Sequence, residues 1–103
     1  MPAKATKQPP IEQFSVVIVE WEDATASPSA QCSSALEALT MYQPCIRRTV
    51  AYFLYSDKYV TCLANDDDRK VMGPGAAGGL IYIPQGMVRS IEVVKKPSTY
   101  AKK

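Results

Sequence analysis

Apolar and polar positions along this chain alternate mostly with a period of two, the spacing of extended strands rather than helices. The clearest stretch is CIRRTVAYFLYSDKYVTCLAN, residues 45–65. In an extended chain Val50, Tyr52 and Leu54 point one way and Thr49, Ala51, Phe53 and Tyr55 the other. Both faces are largely apolar, so this strand is covered on two sides or lies in a closed barrel. Its β-branched and aromatic residues fit a pleated surface. Ser56-Asp57-Lys58 is a short polar turn, and Tyr59 to Ala64 run back as the second half of a hairpin. Asn65-Asp66-Asp67-Asp68 ends that return, because Asn and Asp side chains bond their own backbone.

The same reading extends to both sides. FSVVIVEW, residues 14–21, is a strand with Val17, Val19 and Trp21 on one face. Trp21 reads as a core or rim residue whose indole N–H wants a partner. Residues 24–44 form a long excursion. Within it Ser34 and Glu37 have capping-box spacing, Leu36, Leu39 and Met41 give a short helix an apolar side, and Pro44 ends it. This segment suits a lid, an oligomer contact or a plug over one barrel end. GPGAAGG, residues 73–79, is a flexible or tightly turned connector, and LIYI, residues 80–83, is a strand broken by Pro84-Gln85-Gly86. Residues 88–95 make the last strand. Residues 1–11 read as a disordered arm, 12–95 as one domain and 96–103 as a frayed basic tail.

Five strands are therefore predicted, at 14–21, 46–55, 59–65, 80–83 and 88–95. The fold class is mainly β: a small five-stranded SH3-like or Sm-like barrel with a loop-plus-short-helix insertion after the first strand. Such a barrel leaves strand edges that must be covered or paired, which points to a homo-oligomer.

Composition narrows the function. The chain has 103 residues and a formal net charge of +2, which neither demands nucleic acid nor excludes a locally held anion. It contains no histidine, so the usual general base and zinc partner are missing. Cys32, Cys45 and Cys62 form no CxxC pair, and an odd count argues against a disulfide framework. No apolar run is long enough to cross a bilayer and no signal-peptide core is visible. The expectation is a cytoplasmic protein without membrane attachment, enzymatic activity, metal or cofactor.

Two constellations could carry binding. Asp66-Asp67-Asp68 suggests a metal, but adjacent acids rarely converge on one ion, and a solvated turn is the better reading. Arg47, Arg48, Arg69, Lys70 and Arg89, interleaved with Tyr52, Tyr55, Tyr59 and Tyr82, suit a nucleotide: guanidinium groups hold phosphate and aromatic faces stack bases. Gly73 and Gly75 would add backbone amides as an anion nest. The candidate ligand site is thus Arg47, Arg48, Arg69, Lys70, Gly73, Gly75, Tyr82 and Arg89. The bland reading is that the arginines pair with Glu20, Glu22 or Glu92 and the tyrosines pack.

VEWEDA (residues 19–24), RTVAY (48–52), YVTCLA (59–64) and IPQGMVRSI (83–91) together resemble small uncharacterised accessory proteins of tailed bacteriophages and prophages. The resemblance spans roughly residues 15–94, with the IPxGMVxxI segment its most distinctive part. It implies a phage accessory protein and carries no catalytic residues. Combined with the cationic residues, it leads to an expected function: sequestration of a small anionic host ligand such as a nucleotide immune signal. The alternatives are a module that binds and inhibits a host enzyme, and a single-stranded nucleic-acid binder, the last disfavoured by the low charge.

Overall fold

The computed structural model describes residues 10–24 and 28–100. Five strands form one antiparallel sheet: β1 (Val16–Asp23), β2 (Cys45–Ser56), β3 (Val60–Asp67), β4 (Ala77–Pro84) and β5 (Val88–Lys95). The order across the sheet is β4-β3-β2-β1-β5. The helices are short: α1 (Ala35–Met41) between β1 and β2, and α2 (Arg69–Met72) between β3 and β4. A single 3-10 turn, Gln85–Met87, joins β4 to β5.

The period-two pattern explains the core. Val17 lies opposite Ala51, Phe53 opposite Leu63, and Leu63 opposite Ile81, so alternate residues of four strands share one face. Val17, Val19, Ala51, Phe53, Leu63 and Ile83 are buried there, with Ile11, Trp21, Ile81, Met87, Val88 and Ile91 packed around them. The Trp21 indole N–H donates to Thr49 Oγ1 at 2.9 Å, the partner its burial calls for. Buried Thr61 donates to Gln85 Oε1 at 2.7 Å and contacts Ser56 Oγ at 3.1 Å, which ties the 3-10 turn to the β2–β3 hairpin. Asp57 builds that hairpin turn by accepting from the N–H groups of Tyr59 and Val60.

In place of the expected barrel the strands form one open sheet. Among the described residues β4 pairs only with β3 and β5 only with β1, which leaves both outer edges without ladder bonds there. The 3-10 turn carries the chain from one edge strand to the other, and Ile83, Met87, Val88 and Ile91 meet on the same core. Side chains fold the sheet over, and backbone pairing does not complete the circle. Ile11 also belongs to the folded unit rather than to an arm; residues 1–9 of that arm lie outside the described residues.

The excursion is not a plug. Every residue from Pro28 to Pro44 is exposed. Near its root β2 has only β1 beside it, because pairing with β3 begins at Tyr52. The β1–β2 ribbon thus carries α1 outward. Ser34 caps α1 by accepting from the Glu37 N–H, and Glu37 reaches back to the N–H and hydroxyl of Ser33. This is the predicted capping box with its return bond displaced by one residue.

Candidate functional site

The proposed ligand residues fall in three places. Arg47, Arg48 and Arg89 sit at the root of the arm. Arg47 Nε donates to Asp23 at 2.7 Å. Arg89 Nη2 approaches Glu22 Oε1 at 3.3 Å, while the Tyr42 hydroxyl donates to the other oxygen of the same carboxylate. Arg48 lies across from Glu20 in the β1–β2 register without an ion pair among the described residues.

Arg69, Lys70, Gly73 and Gly75 form the second group, on α2 and the turn after it. Gly73 and Gly75 have φ of +107° and +81°, the left-handed region in which a side chain is strained. They shape the turn, and a Cβ at either would meet open space. Arg69 is a clamp. Its Nε and Nη2 bond both oxygens of Asp67 at 2.8 and 2.6 Å, and Nη2 also donates to the Ser98 carbonyl at 3.0 Å. Its guanidinium lies over the ring of Phe14 at 4.1 Å and that of Tyr100 at 5.0 Å. Hydrogen bonds from Arg69 hold the Asp67 carboxyl below its usual range, and Asp67 in turn raises Arg69. In the segment expected as a basic tail, Ser98 and Tyr100 thus contact Arg69; residues 101–103 lie outside the described residues.

Tyr82 is the third place, exposed on the edge strand β4. Phe14 lies two residues before β1 and Trp21 near the far end of that strand, on the order of 20 Å apart. The Arg69 group sits at the Phe14 end and the Arg47–Arg89 group at the Trp21 end. The candidate residues therefore do not converge on one ligand-sized site. Of the five cations, Arg48 and Lys70 alone have no ion pair among the described residues. Asp67 of the acidic run is committed to Arg69, and no group of three metal-binding side chains occurs among the described residues.

Two surfaces went unnoticed in the one-dimensional pattern. The first is the outer face of the sheet. The β2–β3–β4 register sets Tyr55, Cys62 and Tyr82 in one cross-strand row and Tyr52, Ala64 and Leu80 in the next. Buried Cys62 and Ala64 form a floor, and the larger residues on either side form walls. Burial pushes the Cys62 thiol up. The bulge between Phe53 and Tyr55 brings Tyr55 onto this face, which simple alternation assigns to the core side. The second surface is α1. Leu36 and Leu39, three residues apart on one helix edge, are 71% and 69% exposed. Met41 and Tyr42 instead line an open groove of about 510 Å³ against Ala30, Gln31 and Cys32.

No family model, curated protein or solved structure matches the chain.

Proposed function

We propose that this protein is a non-catalytic binding module that grips a protein partner with its projecting β1–α1–β2 arm. One observation carries the reading: α1 presents Leu36 and Leu39 to solvent with nothing in the described chain over them. A helix of seven residues does not persist in water by propensity alone. The Ser33–Ser34–Glu37 cap pre-forms it, and an apolar groove on a partner supplies the missing packing. Taken with the likeness to phage accessory proteins, the partner is a bacterial enzyme inhibited by occupation. The sheet order and the 3-10 turn before β5 fit an opened SH3-like barrel as the scaffold, by analogy of fold.

The arginine geometry favours this reading over a nucleotide sponge. An anion at Arg47 or Arg89 shares the guanidinium with a neighbouring carboxylate, and one at Arg69 must displace a two-pronged carboxylate and two aromatic rings. The test is quantitative capture from bacterial lysate with wild type, Leu36→Asp/Leu39→Asp and Arg48→Ala/Lys70→Ala. The arm variant loses a specific partner at least about tenfold, equal to about 1.4 kcal/mol, while the cation variant keeps it. Capture that ignores the arm, or native mass spectra showing integral nucleotide gain lost on Arg48→Ala/Lys70→Ala, overturns the reading.

A further inference from the structure

We propose that two copies of the chain join edge to edge through β4, antiparallel, about a two-fold axis at Ile81. Among the described residues β4 is laddered on one side only. Which backbone groups face outward follows from alternation. The Gln85 N–H donates to the Tyr59 carbonyl at 2.9 Å, and residues two apart share the same hydrogen-bonding direction. Ile83 and Ile81 therefore bond towards β3, while the N–H and C=O groups of Tyr82 and Leu80 point away from the sheet. Among the described residues no other backbone bond reaches them.

The two edges of the sheet differ in what guards them. β5 carries Arg89, Glu92 and Lys95, charges that resist strand addition. β4 reads AGGLIYIP and has no charge at all. Its Tyr82 and Leu80 are 58% and 49% exposed. An uncharged edge beside exposed apolar side chains is a template for another strand, and the strand that matches it best is its own copy.

Hydrogen-bond valence sets the register. Outward residues must meet outward residues, so an odd slip leaves the ladder unmade. With the axis at Ile81, Leu80 lies opposite Tyr82 of the second copy on the outer face, an aliphatic–aromatic cross-strand pair. An axis at Leu80 would set Tyr82 over Gly78, and an axis at Tyr82 would set Leu80 opposite Pro84, which has no N–H to give. The two outer-face troughs then run into one continuous sheet. A strand edge of this length, roughly 27 Å, with its flanking side chains covers a few hundred Å² per copy. That is near or below the small end of specific interfaces, so the dimer dissociates on dilution. The arm takes no part in it.

Sedimentation of the full chain from about 1 μM to about 1 mM, the range in which such an affinity is read, tests this. Wild type converts from monomer to dimer. Leu80→Lys/Tyr82→Lys stays monomeric at least about tenfold higher in concentration, because like charges face each other. Leu80→Glu/Tyr82→Glu stays monomeric too, and mixing the two variants restores a heterodimer. In a Cys32→Ser background, Ile81→Cys forms a disulfide dimer on mild oxidation, since a non-hydrogen-bonded pair sits about 4.5 Å apart, within disulfide reach. Circular dichroism and Trp21 fluorescence confirm that each variant is folded. A monomer at all concentrations, a dimer indifferent to the lysines, or failure of the mixed variants to pair overturns the proposal. So does loss of the dimer on Leu36→Asp/Leu39→Asp, which would assign the contact to the arm.

Discussion

Arg69→Ala should be the most informative single substitution. It leaves Asp67, whose side chain is 5% exposed, without its counter-charge, and Arg69 itself is 19% exposed. Removing one partner of a buried ion pair costs about 3–5 kcal/mol, and the water that reaches Arg69 favours the lower end. Each cation–aromatic contact, to Phe14 and to Tyr100, adds about 0.5–1 kcal/mol. The expected loss at pH 7 is about 4–5 kcal/mol, a drop in Tm of roughly 15 °C or more for a domain of this size. The pH dependence is sharper still. Arg69 depresses the folded pKa of Asp67. The stability from the pair is therefore fully present above the unfolded carboxyl pKa, about 3.9, and is lost as pH falls through the lower folded value. Urea unfolding of wild type and Arg69→Ala at pH 7 and in acid should show the gap narrowing to about 1–2 kcal/mol, the aromatic share. A gap that stays constant with pH would refute the ion pair as its source. Arg69→Ala is for the same reason a poor probe of ligand binding, because it loosens the fold.

Other outcomes follow from single contacts. Phe53→Ala, in the centre of the core, should cost about 3–5 kcal/mol in denaturant unfolding. Gly79 has φ of +65° and a Cβ there would lie 2.9 Å from the Asn65 side chain, so Gly79→Ala should destabilise by about 1–3 kcal/mol, part of it recovered in Asn65→Gly/Gly79→Ala. In a thiol titration, exposed Cys32 should react fastest, and buried Cys62, with its raised pKa, should react only at the rate of unfolding. Leu36→Asp/Leu39→Asp should leave unfolding stability within about 0.5 kcal/mol of wild type, since both side chains are mostly exposed.

The strands were legible in the linear pattern. The predicted spans 14–21, 46–55, 59–65 and 88–95 fall on β1, β2, β3 and β5 with small shifts at their ends, while 80–83 captures half of β4, whose first residues, Ala77 to Gly79, were read as connector. Short-range rules sufficed there: alternation selects Val17, Val19, Ala51, Phe53 and Leu63 for one face, turn chemistry sets Asp57, and capping spacing sets Ser34 and Glu37. The need of the Trp21 indole for a partner was also readable, though not that Thr49 would meet it. The α2 turn was not read, since RKVM between an acidic run and a glycine run has no periodicity to reveal it.

What the sequence by itself determined is what depends on neighbours along the chain: where strands run, which face is apolar, where turns and caps fall. Only the tertiary structure decided what depends on distant residues. Charge and residue type marked Arg47, Arg69 and Arg89 as candidate ligand holders and offered Glu22 as one possible partner; only the fold showed that Asp23 meets Arg47, that Glu22 meets Arg89, and that Asp67, two residues away, clamps Arg69. Nor could the chain show that Tyr100 returns to Arg69, that the bulge turns Tyr55 outward, or that β4 and β5 end as separate edges. Periodicity reports how each residue faces its own strand; long-range ion pairs, register and closure are set by segments that meet only when the sheet assembles.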